Sequence, residues 1–201
     1  VPDIAKLQEF DFVTVFDASG STSDDDCPGG MTRWDFMQET ALAFTREIGK
    51  IDQDGLGVVI GKGSSPVVKD GVTARDIKEL LASYGPGGST PLHTWLQAAF
   101  TLAGKSSKKD LIAVFFDGTP DDKAAVERVL IEQSNKQESD DALTVLFVQI
   151  GYDSAAKAWL QQLDDGLTKK GAKFDIVDTA TMDDLVNAGS AAELILKAIA
   201  D

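Results

Sequence analysis

Cysteine and histidine are nearly absent: one of each in 201 residues. A single thiol, Cys27, closes no internal disulfide, which favours a reducing compartment. No basic residue or histidine neighbours it in the sequence, so a loop residue without special chemistry is the better reading than a redox or nucleophilic thiol. His93 falls in the first turn of a predicted helix, and no serine or cysteine motif is arranged as a nucleophile elbow. It is read as a structural or surface residue. Long apolar runs are missing too. Nothing approaches the roughly 20 residues that a membrane span needs, and the start, VPDIAKLQEF, lacks the basic and apolar regions of a signal peptide. Beginning at Val1 rather than Met, the chain is compatible with a processed or excised piece that has lost a targeting segment. These absences favour a cytoplasmic location, although an extracellular adhesive module would share the residues discussed below. Basic residues are also scarce. With 19 Lys and Arg against 33 Asp and Glu, the formal net charge is −14, which disfavours phosphate backbones and anionic membranes as partners. No nucleic acid and no membrane insertion are expected.

The length suits one substantial core, so residues 1–201 are expected to form a single, monomeric domain. Hydrophobic residues make up 43% and charged residues 26%, an ordinary globular profile. Strand and helix patterns alternate almost throughout, the signature of an α/β fold around a mostly parallel sheet. Strands are predicted at 11–16, 57–60, 66–69, 111–116, 143–150 and 174–177. The second and third are joined too closely for a helical crossover and therefore form an antiparallel edge hairpin. Apolar positions Trp34, Met37, Ala41, Phe44 and Ile48 mark the first helix at helical spacing. Further helices are predicted at 73–83, after Thr90 with Pro91 at the first helical position, at 122–133, at 154–167, and from 182 to 200. The expected architecture is a doubly wound six-stranded sheet with one short antiparallel edge strand and helices on both faces.

The first strand runs into Asp17, Ser19 and Ser21, a DxSxS motif. Alternate positions of an extended segment can aim one carboxylate and two hydroxyls at one point. All three are hard oxygen donors, which suit Mg²⁺, Mn²⁺ or Ca²⁺ rather than zinc or copper. Asp117 ends the fourth strand, and Thr90 stands after the glycine-rich GPGGS and before a Pro-led helix. In doubly wound sheets ligands bind beyond the carboxyl ends of the strands, where strand order reverses. If the first and fourth strands are neighbours there, Asp17, Ser19, Ser21, Thr90 and Asp117 converge. Each piece alone is weak, since Ser and Thr cap helices and DGT resembles a simple turn.

In this order and together, the motifs resemble the von Willebrand factor A domain, also described as integrin I-like, over essentially the whole chain. FFDGTPDDKAAVERVL and LQQLDDG look most similar to its copine and tellurium-resistance branch. The resemblance implies a metal-ion-dependent adhesion site (MIDAS) at Asp17, Ser19, Ser21, Thr90 and Asp117. It further implies that Ser19 and Ser21 bind the cation directly, Thr90 directly or through water, and the two aspartates largely through water. One position would stay open for an Asp or Glu of a partner protein, giving a non-enzymatic, cation-dependent binding domain. Ligand engagement in the family can be coupled to movement of the C-terminal helix, where Gly189 would lower helix stability.

Other readings compete. A haloacid-dehalogenase-type phosphotransferase also uses strand-terminal aspartates and DGT, but Ser19 stands where its second carboxylate belongs and no basic residue for the phosphoryl group is evident. A metal-free scaffold is the third possibility. Asp24, Asp25 and Asp26 read as a solvated loop rather than a calcium site. Asp121 and Asp122 read as helix-capping acids, and 61–65 fails the phosphate-loop spacing.

Overall fold

The structure, a computed structural model, describes residues 3–200; the expected domain limits at Val1 and Asp201 lie outside the described residues. The strands are β1 (Phe10–Asp17), β2 (Leu56–Gly61), β3 (Val67–Val72), β4 (Lys109–Phe116), β5 (Leu143–Gln149) and β6 (Val177–Ala180). The helices are α1 (Arg33–Ile48), α2 (Ala74–Ala82), α3 (Leu92–Leu102), α4 (Lys123–Asn135), α5 (Ser154–Gly166), α6 (Met182–Asn187) and α7 (Ala191–Ala198). The sheet runs β3-β2-β1-β4-β5-β6. Every neighbouring pair is parallel except β2 with β3.

The two-residue period of β-structure explains why the central strands are apolar throughout. In β1, Phe12 and Phe16 pack on one face with α1, α2 and α7, while Val13 and Val15 pack on the other with α3, α4 and α5. Phe16 and Phe115, paired in register, stack at a centroid distance of 5.4 Å. β3 is mostly exposed, as befits the antiparallel edge. At Gly61 an added Cβ would strike the indole ring of the fully buried Trp95, so only a glycine lets α3 lie this close to β2.

Two predicted elements differ. The last strand begins at Val177 rather than Phe174. Both backbone groups of Phe174 are taken by Ser134, whose hydroxyl donates to the carbonyl at 2.8 Å and accepts from the amide at 2.9 Å. They are not available to a ladder. The predicted C-terminal helix is two helices, broken between Ala188 and Ser190. Ser190 accepts from the Glu193 amide, and Glu193 accepts from the Gly189 amide at 2.9 Å. Gly189 therefore lies in a break, not near the middle of a helix. Pro91 differs by one position, preceding the first residue of α3 as its cap.

Candidate metal centre

β1 and β4 are adjacent, and the crossovers from them leave in opposite directions along the sheet, so their carboxyl ends frame the crevice expected of a switch point. Asp17 ends β1 and is fully buried; Ser19 and Asp117 are 1% exposed. Asp17 Oδ1 accepts the Ser19 amide at 2.8 Å, and Oδ2 accepts the Asp117 amide at 3.4 Å. The hydroxyls of Ser19 and Ser21 lie 3.3 Å apart, and Ser21 donates to Asp117 Oδ2. Asp117 Oδ1 accepts the Thr119 amide at 3.2 Å. Four of the five predicted residues thus share one hydrogen-bonded cluster.

The segment that leads to the fifth, Thr90, is tied to the same turn through its backbone. The Gly87 amide donates to the Ala18 carbonyl at 2.9 Å, and the Gly20 amide to the Gly88 carbonyl at 3.2 Å. This zips the glycine-rich segment onto the DxSxS turn. Thr90 is then held by Asp121, whose Oδ1 accepts the Thr90 amide at 3.0 Å and whose amide donates to the Thr90 carbonyl at 2.9 Å. Thr90 is 5% exposed, and among the described residues no hydrogen bond joins its hydroxyl to the other four. Only Asp122 is a cap, accepting the Ala125 amide at 2.9 Å; Asp121 positions Thr90 instead.

Arg33, the first residue of α1, enters the same site. Its Nε and Nη2 hold both oxygens of Asp26, at 2.8 and 2.6 Å, while Nη1 lies 3.5 Å from Asp117 Oδ2 and 3.7 Å from Asp24 Oδ2. Its side chain is only 12% exposed. Gly151 backs the guanidinium, since a Cβ there would lie 2.8 Å from Nε. The three aspartates are exposed, as a solvated loop would be, but Arg33 gives the loop a fixed geometry by holding Asp26. The arginine also supplies the basic group missing from the phosphotransferase reading, but Ser19 still stands in place of its general acid. Seven residues of sequence separate Arg33 from Asp26, and nothing in periodicity marks Arg33 as anything but a helix-start residue. Its presence does not activate Cys27, whose thiol is pushed up to about 11 by burial first and then by Asp26.

Burial pushes the Asp17 carboxyl up to about 7, and the Asp117 carboxylate beside it acts in the same direction. Two buried carboxylates with the hydroxyls of Ser19 and Ser21 beside them form an all-oxygen donor set of the kind that fits a hard divalent cation, with Arg33 as the one positive group against it among the described residues. Among the described residues no three His, Cys, Asp or Glu side chains gather as a metal-ligating group.

No family model and no curated protein sequence matches the chain. Solved structures do. The VWA domain of SpRpn10 matches with a TM-score of 0.65 at 15% identity, over 90% of this chain and 95% of that one. The PilB minor pilin of Streptococcus sanguinis, a D319A mutant, matches at 0.61 and 14%, over 96% of this chain; the chain spans 60% of the pilin's length. Manganese-loaded TRAP of Plasmodium vivax matches at 0.56 and 16%, over 96% of this chain and 74% of that one. The chain has the von Willebrand factor A fold.

Proposed function

We propose that the chain is a protein-binding domain whose engagement depends on a divalent cation, Mg²⁺ or else Mn²⁺ or Ca²⁺, held by Asp17, Ser19, Ser21, Thr90 and Asp117. The observation that carries this reading is the clustering of Asp17, Ser19, Ser21 and Asp117, all oxygen donors, at the carboxyl ends of adjacent strands. Ser19 and Ser21 present hydroxyls, Asp17 and Asp117 supply charge, Asp17 holds the Ser19 amide and Asp117 accepts from the Ser21 hydroxyl, and Asp121 holds the Thr90 backbone. When bound, the cation supplies Lewis acidity toward an incoming carboxylate. An Asp or Glu of a partner protein is the matching ligand, because the cation joins two acidic surfaces that repel at a net charge of −14. The fold neighbours support a binding role: they include a minor pilin, a pilus adhesin and a manganese-loaded protein. Ser19 in place of a second acid speaks against catalysis. Among the described residues no helix is long and apolar enough to cross a membrane.

Calorimetric titration of chelator-treated protein with Mg²⁺, Mn²⁺ and Ca²⁺, beside an Asp17→Ala, Ser19→Ala double variant, tests this. Saturable binding by the wild type that the variant loses is expected. Equal binding by both proteins places the cation elsewhere.

A further inference from the structure

We propose that Arg33 is a built-in counter-cation that competes with the divalent ion for Asp117 and thereby sets the cation affinity of the site. The inference rests on the cation-binding reading above. In a site of buried carboxylates, the Arg33 guanidinium is the cationic group placed against Asp117, with Nη1 at 3.5 Å from Oδ2, the same oxygen that accepts from Ser21. An arginine cannot discharge itself to make room for a second cation. A divalent ion held by Ser21 and Asp117 must therefore either repel this charge or move it.

The surroundings show where the charge is anchored. Asp26 grips the Nε and Nη2 edge bidentately, and Asp24 lies near Nη1, so the guanidinium has a place to stay when Asp117 turns to the ion. Bare backbone at Gly151 leaves the space that the fork occupies. Without the ion, Arg33 matches the buried charge of Asp117. With it, Arg33 stays with the loop, and the loop of residues 24–26 takes the whole guanidinium charge. The site is thus held together in the absence of metal, at the expense of tight metal binding.

Calorimetric Mg²⁺ titration of wild type, Arg33→Gln and Asp26→Asn provides the test, with Asp25→Asn as a control for generic charge loss on an exposed neighbour. Arg33→Gln is expected to bind Mg²⁺ roughly tenfold tighter or more, because one close positive charge is gone. Its melting temperature in chelator should fall below wild type and recover at saturating Mg²⁺. Asp26→Asn should move the opposite way, weakening Mg²⁺ binding several-fold and more than Asp25→Asn, since the freed guanidinium turns wholly to Asp117. Equal or weaker binding by Arg33→Gln, where wild type binds, overturns the competition and leaves the cation reading intact. If Arg33→Gln does not fold, the two aspartate variants decide: equal effects of Asp26→Asn and Asp25→Asn overturn it. Absence of Mg²⁺ binding in every protein, repeated with Mn²⁺ and Ca²⁺, overturns both readings.

Discussion

Asp17→Asn is expected to make the cation-free protein more stable at neutral and higher pH while removing the proposed cation site. Asp17 is fully buried, and its carboxyl is pushed from 3.8 to about 7, first by burial and then by Asp117. Below pH 3.8 both folded and unfolded states keep the proton and no penalty exists. As pH rises, the unfolded chain releases its proton first, so stability falls until the folded carboxyl also ionises near 7. The complete loss corresponds to about 3 units, or about 4 kcal/mol, and roughly half of it falls between about pH 5.5 and pH 8. Asparagine carries no charge to bury, but it can satisfy only one of the two amides, Ser19 and Asp117, that Asp17 accepts, which costs about 1 kcal/mol. The variant should therefore exceed wild type by about 2–3 kcal/mol near pH 8 in chelator, with a smaller advantage near pH 5.5. Urea unfolding followed by circular dichroism at both pH values reads the difference. If wild type and variant lose stability in parallel between them, the Asp17 charge is already matched in the folded protein and the reasoning fails.

On the proposed cation reading, the same carboxyl should make Mg²⁺ binding pH-dependent. Asp17 must lose its proton to serve the cation, so affinity should rise by up to about tenfold per pH unit below 7 and level off above it, with proton release on binding. A flat calorimetric profile between about pH 5.5 and pH 7 would contradict this. Gly61→Ala should destabilise the protein by about 1–3 kcal/mol through overpacking against Trp95. It should also weaken cation binding, because the Gly61 carbonyl accepts the Ala18 amide at 2.9 Å beside the DxSxS turn. Chemical denaturation and the Mg²⁺ titration measure the two effects, and an unchanged unfolding midpoint would show that α3 can withdraw freely.

How far the site could be read in advance differs residue by residue. Asp17, Ser19 and Ser21 were visible because their spacing and their strand are local, and Asp117 because an apolar run ends at it. Arg33 was not, because its meaning depends on Asp26, Asp117 and Gly151, which converge only in the folded chain. Asp121 looked like a capping acid for the same reason: a carboxylate before a helix is indistinguishable in sequence whether it caps that helix or reaches back to Thr90. Phe174 carried strand character but lost its backbone groups to Ser134, 40 residues away.

By itself, the amino-acid order determined the alternation of strands and helices, the two-sided burial of the sheet, the acidic surface and the oxygen-rich turn after β1. Each follows from short-range periodicity or from charge, quantities that need no knowledge of distant neighbours. Only the tertiary structure decided that β1 lies beside β4, that Ser21 meets Asp117 across 96 residues, that the C-terminal segment breaks at Gly189, and that an arginine stands among the carboxylates. Those outcomes depend on which faces pack together and which polar groups remain to be satisfied once they do, and that selection is made by the whole core at once.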